Sequence, residues 1–460
     1  MMRKCVLFLV SVLLAVAGFI ACKKENSGSS SSGASITALS CSSATFSATA
    51  TINVAYSATA TVPYTGGNGA SYPAGSAISS TGVTGLTATL AAGTLASGAG
   101  NLTYTISGTP ASSGTASFAI SFGGQLCTLS LTVDTASSGT TACSSSTGIA
   151  KIVCLCEAFK ATLSSSQIAA LQLSYTYSNI KTWSNLPAAM SARLGIRLGD
   201  LTSTQLAAAK AIVQEITGTT ANEGYDEVQQ VWAADDYLNT NGGGSDYGSG
   251  NYYLAFFGTP SATGTFEIME TGHHKTVANT YSNGSLIGAT PHFEAVEPVS
   301  FTSGSNTYAP ISQERDAFVA LLASLSSSQL SAALSSSTFT DLLLVPGQEW
   351  AFPSTHSGYQ CSGLSSAQKT LLTNVIKTYT GDIDDTNAAT VLATYTSELD
   401  NTYILYSGTT SINTKYDYFR IDGPHVWIEF IVAGGVVFPS GIHFHSVWRD
   451  RVSDYGGTKS

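Results

Sequence analysis

The chain has 460 residues and a formal net charge of −10 at pH 7, and only 10% of its residues are charged. This length leaves room for two or three domains. Nucleic-acid binding needs clustered Lys and Arg, so an acidic chain without a basic run excludes nucleic acid as a partner.

The start of the chain resembles the signal peptide of a bacterial lipoprotein. Arg3 and Lys4 precede an apolar run, and the sequence FIAC at 19–22 is similar to a lipobox. The resemblance implies a signal peptide over 1–21 and a diacylglycerol on Cys22, although Phe19 departs from the usual aliphatic residue. A plain secreted protein that is cleaved nearby is the alternative.

Residues 22–34 are rich in Ser and Gly, which predicts a flexible tether between the anchor and the folded part. Lys23 directly after the cysteine resembles the sorting signal of outer-membrane lipoproteins. We therefore expect a lipid anchor in the outer membrane, with the protein facing the periplasm or the cell surface. No other segment has a run of about 18 apolar residues, so none is predicted to span a bilayer.

The cysteines predict disulfides. Eight are present, and six remain when Cys5 leaves with the signal and Cys22 carries lipid. An even number in an oxidising compartment favours pairing, whereas the absence of a C-x-x-C pair gives no support to a zinc-ribbon or thioredoxin-like site. The six are Cys41, Cys127, Cys143, Cys154, Cys156 and Cys361.

Residues 35–134 are predicted to form an all-β sandwich. Apolar residues alternate in LTYTISG, ASFAISF and CTLSLTV, which is typical of half-buried antiparallel strands. Gly123-Gly124 between the last two indicates a hairpin. With Cys41 placed in the first strand and Cys127 in the last, a Cys41–Cys127 disulfide is the simplest proposal.

The same region resembles an immunoglobulin-like module found in tandem in bacterial surface proteins. The segments that carry the resemblance are YTGGNG, STGVTGLTATLAAGTLASGAGNLTYTISGTP and SGTASFAISFGGQLCTLSLTV. They cover nearly all of 35–134 and imply a spacer or adhesion role. They imply no catalysis, and the stretch from Ala34 to Val133 contains no charged residue.

Residues 135–147 are predicted to be a second linker, and 148–460 an α+β domain. Apolar residues recur with helical spacing near 152–163 and 318–325. A Ser or Thr three residues before Gln, with Leu just ahead, occurs four times and is typical of a capping box. This pattern predicts helices that start at Ser164, Thr202, Ser326 and Ser365.

These helix starts come in two pairs, and similar segments follow each pair. YYLAFFGTPSATG resembles TYILYSGTTSIN, FEIMETGHH resembles FRIDGPH, and PHFEAV resembles IHFHSV. The similarity sets His274 beside His425 and His292 beside His443. It predicts an internal duplication of a helices-then-strands unit, with both HF dipeptides on equivalent strands.

The motif GIHFHSVWRD near the C-terminus suggests a metal site. On a strand His443 and His445 point to the same face, and such a pair often presents two imidazoles to one ion. If the halves meet about an axis, the site gains His274, His292, Glu294 and His425. Half-buried histidines that bond to the backbone are the alternative, because H-x-H alone is a weak motif.

Several of these segments together resemble an exported bacterial family called domain of unknown function 3500. They are YYLAFFGTPSATG, GHH, the Glu297-Pro298 pair, FRIDGPHVWIEF and HFHSVWRD, across about 150–457. The residues that match this pattern are Gly272, His273, His274, Gly423, Pro424, Glu429, His443, His445, Ser446, Trp448, Arg449 and Asp450. The resemblance implies no activity. His292 and His425 depart from the pattern. The candidate ligands that remain are His443, His445 and either His273 or His274, because adjacent residues of a strand face opposite ways and only one of these two can join the site.

Two classes of function remain. In the first, an exported metal-dependent hydrolase holds a divalent ion, zinc by preference, with Glu297 or Glu294 as base. Arg449, beside Asp450, would orient an anionic substrate, unless this end of the strand is only a solvated cap. In the second, a non-catalytic surface lipoprotein binds a small molecule, a glycan or a metal in the same cleft. An open coordination position favours the first class and a closed ligand set the second.

Overall fold

The computed structural model describes residues 33–52, 54–134 and 143–459. The predicted signal peptide and Cys22 lie outside the described residues, as does most of each predicted linker. Among the described residues, no helix is long and apolar enough to cross a membrane.

The described residues form two compact units. The first comprises residues 33–50 and 55–133, and the second comprises 51–54 and 134–459.

The first unit is all β, as predicted. Its strands are β1 (Ala38–Leu39), β2 (Thr45–Phe46), β3 (Ala50–Thr51), β4 (Tyr56–Asn68), β5 (Ser71–Tyr72), β6 (Ile78–Ser79), β7 (Thr81–Gly82), β8 (Leu86–Leu90), β9 (Gly93–Thr94), β10 (Ser97–Gly108), β11 (Gly114–Phe122) and β12 (Gln125–Asp134). One sheet has the order β1-β4-β10-β8-β6, with β2 on β4, and the other has the order β3-β12-β11-β7. The alternating apolar residues of the long strands, such as Tyr104 and Phe118, are buried.

Two local predictions for this unit are confirmed. Gly123 and Gly124 have φ values of 55° and 84° and form the tight turn between β11 and β12, as two-residue hairpins require. Cys41 and Cys127 form a disulfide. Cys41 lies in a 3-10 turn (Cys41–Ser43) and not in the first strand, because that strand ends at Leu39.

The second unit holds a further disulfide, Cys143–Cys154, and two buried free thiols, Cys156 and Cys361. Disulfides persist in oxidising compartments. The two bridges therefore indicate an extracytoplasmic protein.

The helices described in the second unit are α1 (Gly148–Lys160), α2 (Ser165–Leu171), α3 (Tyr177–Ile180), α4 (Ser203–Ile216), α5 (Gly224–Leu238), α6 (Ser312–Ser324), α7 (Ser327–Ala333), α8 (Ser366–Thr380) and α9 (Asp385–Ser397). Four of them, α2, α4, α7 and α8, begin where the capping boxes predict. Complete capping boxes are present at Ser164, Thr202, Ser326 and Ser365. Each box satisfies backbone N–H groups that the helix itself leaves without a partner.

One large sheet organises this unit. Its strands are β13 (Gln172–Leu173), β14 (Ile196–Arg197), β15 (Tyr253–Phe257), β16 (Thr265–Thr271), β17 (Lys275–Ser282), β18 (Ser285–Gly288), β19 (His292–Val296), β22 (Tyr359–Gln360), β23 (Tyr403–Ser407), β24 (Tyr418–Asp422), β25 (Val426–Gly434) and β26 (Ile442–Asp450). Two further strands, β20 (Phe301–Ser303) and β21 (Asn306–Tyr308), form a separate two-stranded ribbon. The sheet order is β13-β15-β16-β17-β19-β26-β25-β24-β23-β22, with β14 on β15 and β18 on β17.

The strand order of this sheet is symmetric about its centre. β15, β16, β17 and β19 occupy the places that β23, β24, β25 and β26 occupy in the other half, and β19 pairs with β26 at the centre. Capped helices precede the strands in both halves. The halves are thus related by a pseudo-twofold axis through the sheet, which agrees with the predicted duplication.

The register corrects one detail of the predicted alignment. His292 is opposite Trp448, and Ala295 is opposite His445. Opposed residues of antiparallel strands share a face, and successive residues alternate. His292 therefore lies on the face of Trp448, whereas His443 and His445 lie on the other face. The HF dipeptides are on equivalent strands but on opposite sides of the sheet.

The two faces of the sheet are covered differently. The long helices pack on the face that carries Trp448 and Phe444. Short α3 and loop residues such as Trp183, Leu342 and Tyr455 cover the opposite face. A strand face that is covered by loops is where functional side chains are commonly placed.

Candidate metal centre

His274, His443 and His445 come together on the loop-covered face, and we call these three residues the histidine triad. Each offers one ring nitrogen, and these atoms lie within 4.8 Å of one another. The Nε2 atoms of His443 and His445 are 2.9 Å apart. Nitrogen ligands at ~2.0–2.1 Å from a zinc ion stand at most about 4.2 Å apart. The triad is therefore close to the span of a shared ion.

Strand β26 positions two members of the triad. His443 and His445 flank Phe444, whose ring packs with the helices on the opposite face. The residue opposite His445 is Ala295, whose small side chain leaves room above the strand. The N–H of Ala295 donates to the carbonyl oxygen of His274 at 2.7 Å, which holds the third histidine beside the pair.

His274 comes from the turn between β16 and β17, not from a strand. The N–H of Gly272 donates to the carbonyl of Lys275 at 2.9 Å, and His274 has a φ of 71°. A Cβ at position 272 would lie 2.2 Å from the ring of Tyr252, so this close approach requires glycine. In the turn, the rings of His273 and His274 do not face opposite ways but stack, with centroids 3.5 Å apart.

Two carboxylates hold the outer nitrogens of imidazoles in this region. Nδ1 of His445 is 3.3 Å from Oδ1 of Asp341, which leaves Nε2 directed into the triad. Nδ1 of His273 is 2.5 Å from Oδ1 of Asp235, which fixes this ring, but His273 does not belong to the group whose ring nitrogens lie within 4.8 Å of one another. A carboxylate on the far nitrogen is the usual way to orient a metal-binding imidazole.

Two members of the triad are desolvated, and their environment favours neutral rings. His274 and His443 are 5% and 4% exposed. Burial and the neighbouring imidazoles lower the pKa of His274 well below its ordinary value and the pKa of His443 to about 3. Burial acts against ionisation of Asp341, yet the hydrogen bond and charge of His445 hold the pKa of that carboxyl below its ordinary value. Neutral imidazoles are the form that binds a metal.

A cavity of about 240 Å³ opens beside the triad. Its other walls are mainly apolar and include Leu186, Pro187, Met190, Tyr247, Ala433 and Val436. Leu186, Met190 and Val436 are 41%, 67% and 67% exposed and form what we call the apolar rim. Apolar walls with a few convergent polar groups are typical of small-molecule sites.

The loop that carries part of this rim is fixed from beneath by Arg193. This side chain is 9% exposed, and its Nη2 donates to the carbonyls of Ser184, at 3.0 Å, and of Leu186. Its Nη1 donates to the carbonyl of Ser191 at 3.3 Å. The guanidinium thereby holds both ends of the segment that contains the rim residues Leu186 and Met190.

A larger cavity of about 490 Å³ lies elsewhere in this unit. Its lining contains the ion pair between Lys151 and Glu215, with a 2.6 Å contact, and no histidine. It lacks a convergent set of ligand atoms, so the histidine cavity is the better candidate for chemistry.

Glu297 lines the histidine cavity but also has a structural task. Its Oε1 accepts the N–H groups of Val436 at 2.7 Å and Phe438 at 2.8 Å. These bonds tie the loop between β25 and β26 to the start of the segment that follows β19. The carboxylate is thus adjacent to the triad, with one oxygen engaged by backbone.

Arg449 and Asp450 lie outside this cavity. Arg449 is fully buried, and its Nη2 is 2.6 Å from Oδ2 of Asp454. Burial acts against its charge, but Asp454 holds the pKa of Arg449 above its ordinary value. Oδ1 of Asp450 accepts the N–H groups of Val452 and Ser453. The substrate-binding and catalytic roles expected of Arg449 and Asp450 do not fit this geometry.

The other predicted histidines are also separate from the triad. His292 and Glu294 are buried on the helix face, where Nε2 of His292 is 3.0 Å from Oδ2 of Asp382. His425 lies in the turn between β24 and β25, which the pseudo-twofold axis places at the far end of the sheet, and pairs with Glu398 at 2.6 Å. The prediction of a five-imidazole site, which followed from the duplication, is therefore wrong.

Residues 145–457 match the model of a family described as "Protein of unknown function (DUF3500)", which covers more than half of the chain. No curated protein and no solved structure matches the chain. The matched segment contains the whole triad and every residue of the cavity beside it.

Proposed function

The chain belongs to the DUF3500 family of proteins of unknown function, and we propose that its C-terminal unit is an exported zinc-dependent hydrolase. The observation that carries this proposal is the convergence of three imidazoles, two of them buried, beside a cavity. Three protein ligands leave the fourth tetrahedral position of zinc to water or substrate, as in catalytic zinc sites. Zinc bound in this way lowers the pKa of its water to about 7.

The chain's own residues have distinct tasks in this proposal. Asp341 orients His445, and Glu297 is the candidate base at the cavity wall. Glu294 cannot act as the base at this cavity because it lies on the helix-covered face of the sheet. The apolar rim favours a small molecule or glycan derivative that carries an apolar group, which would be held against Leu186 and Val436.

A second candidate is a non-catalytic surface protein that binds metal or ligand in the same cavity. The two backbone hydrogen bonds on Oε1 of Glu297 favour it, because they give that carboxylate a structural task. Hydrolysis of activated ester and phosphoester probes by the zinc-loaded protein separates the candidates. Stoichiometric zinc without turnover, and without displacement of bound water by anions, supports the second.

The double variant His443→Ala/His445→Ala should lose zinc binding. It leaves one imidazole of the triad, so the affinity for zinc should fall by more than about 100-fold. Titration calorimetry and metal analysis of the dialysed protein measure this. The matched control is His425→Ala, which removes an imidazole from the far end of the sheet and should bind zinc like the wild type. Undiminished binding by the double variant, or none by the wild type, contradicts the proposed centre.

We also propose that the protein is anchored in the outer membrane through a lipid on Cys22, with the first unit as an immunoglobulin-like spacer. Support comes from the lipobox-like sequence, the Ser/Gly-rich tether and the all-β fold of the first unit. Cys22→Ser should release the protein from the membrane fraction, because the proposed lipid is attached through this thiol. Mass spectrometry of the wild-type N-terminus checks the modification, and an unmodified Cys22 in the membrane fraction refutes it.

A further inference from the structure

A second group of ionisable side chains lies on the opposite, helix-covered face of the sheet. It contains five carboxyl groups, one lysine and His292, whose Nε2 is 3.0 Å from Asp382, and all of these residues are buried. We call Glu223, Glu227, Glu294, Glu314 and Asp382 the carboxylate cluster. With every carboxyl ionised, Lys275 would balance one of five negative charges.

Lys275 already satisfies one side of the cluster. Its Nζ lies 3.1 Å from Oε1 of Glu227, 3.2 Å from Oε2 of Glu294 and 3.4 Å from Oδ2 of Asp382. Asp382 is bonded further, because its Oδ1 accepts the N–H of Gly224 at 2.7 Å. This side of the cluster therefore has donors.

The other side of the cluster has no hydrogen-bond donor among the described residues. Both carboxylate oxygens of Glu314 lack a hydrogen-bond partner, and so do Oε2 of Glu227 and Oε2 of Glu223. Glu227 and Glu314 are 0% exposed and Glu223 is 8% exposed, so water does not solvate them freely. An unpaired buried charge costs several kcal/mol, and such groups are normally neutralised by a proton or by a cation.

These three residues have the geometry of a cation site. Each offers one oxygen, and the three oxygens lie within 4.8 Å of one another. Calcium binds oxygen ligands at about 2.3–2.6 Å, so its ligands can stand about 5 Å apart, whereas magnesium needs distances of about 2.0–2.1 Å. Carboxylates that act as bidentate ligands can supply the high coordination number that calcium requires.

From this geometry we propose that Glu223, Glu227 and Glu314 bind a calcium-like divalent cation that joins the two halves of the repeat. Glu223 and Glu227 stand at the start of α5 in the first half, and Glu314 stands in the first turn of α6 in the second half. The site is independent of the histidine triad, which lies on the other face of the sheet. Proton occupancy is the competing explanation, since burial and the neighbouring carboxylates raise the pKa of Glu223 to about 11 and the pKa values of Glu227 and Glu314 well above ordinary.

The test is the thermal unfolding of the full chain, stripped by chelator, with and without calcium. Binding to the folded state alone should raise the Tm by about 5 °C at a calcium concentration of about 100 times Kd. Terbium, as a probe that prefers oxygen ligands, should show emission sensitised by nearby aromatic rings. Glu314→Gln should lose both responses while it keeps the shape of the side chain.

Two controls separate this site from other effects. Glu267→Gln also neutralises a fully buried carboxyl, but outside the cluster, and should keep the calcium response. His443→Ala/His445→Ala should keep it as well, even when zinc binding is lost. If Glu314→Gln does not fold, Glu223→Gln at the edge of the cluster replaces it. A wild type without a saturable calcium response, or a Glu314→Gln variant that responds like the wild type, overturns the proposal.

Discussion

Arg449→Ala is expected to destabilise the C-terminal unit by about 3–5 kcal/mol. Arg449 and Asp454 are both 0% exposed, and the guanidinium makes three contacts of 2.6 to 3.1 Å with that carboxylate. Its Nη1 also donates to the carbonyl of Leu344 at 3.0 Å. Removal of the cation leaves Asp454 as a buried charge without its partner, which costs more than the pair itself contributes.

Urea denaturation followed by tryptophan fluorescence measures this effect, because all five tryptophans lie in the second unit. Lys160→Ala is the matched control. It breaks a pair with Glu157 whose acidic member is 54% exposed, and should change the free energy of unfolding by about 0–1 kcal/mol. A stable Arg449→Ala variant that loses ligand binding would instead restore the substrate-binding role that the sequence predicts.

The features that the sequence predicts correctly depend on local chemistry. A capping box involves residues three apart, so LSSSQ at Ser164 determines a helix start without reference to the rest of the fold. Alternation along a strand is equally local, and it places His443 and His445 on one face. The tight turn at Gly123-Gly124 follows from the conformational freedom of glycine.

The features that the sequence does not predict depend on contacts between distant segments. Asp341 reaches His445 across 104 positions, and Asp235 reaches His273 across 38. No pattern around either aspartate distinguishes it from a solvated loop or helix residue. Similar spacing also led to a wrong alignment of His292 with His443. The register of the two central strands determines on which face of the sheet each residue lies, and it is not encoded in either strand alone.

The carboxylate cluster also depends on contacts between distant segments, and the sequence does not predict it. Glu227 and Glu314 lie in the first turns of helices, where acidic residues are expected simply to complement the helix dipole. Asp382 belongs to the acidic run GDIDDTN at 381–387, a composition that is also typical of a solvated helix end. Only the packing of α5, α6 and the connection between α8 and α9 reveals that these side chains are buried together.

Glu270→Gln is expected to stabilise the protein strongly above neutral pH and to have little effect near pH 4.5. Glu270 in β16 is 0% exposed, and its Oε1 accepts the indole N–H of Trp232 at 3.0 Å. Burial raises the pKa of Glu270 from 4.5 to about 8, although the bond from Trp232 and the charges of Lys275 and Arg193 act in the opposite direction. The folded protein therefore keeps this proton at pH values where the unfolded chain has released it.

The sign of the pH effect follows from that difference. Because the folded-state pKa lies above the unfolded one, the stability associated with the protonated carboxyl is complete below pH 4.5 and is lost as the pH rises to about 8. This interval corresponds to a loss of about 4–5 kcal/mol. Glutamine retains an acceptor for Trp232 but cannot ionise, so it should avoid the loss.

Urea midpoints at pH 4.5, 6 and 8, read by tryptophan fluorescence, test this expectation. The stability difference between Glu270→Gln and the wild type should be near zero at the lowest pH and grow towards about 4–5 kcal/mol at the highest. Glu157→Gln, at a carboxylate that is 54% exposed, should follow the wild type throughout. A difference that does not change with pH would mean that Glu270 is ionised in the folded protein, and that Lys275 and Arg193 outweigh the cost of its burial.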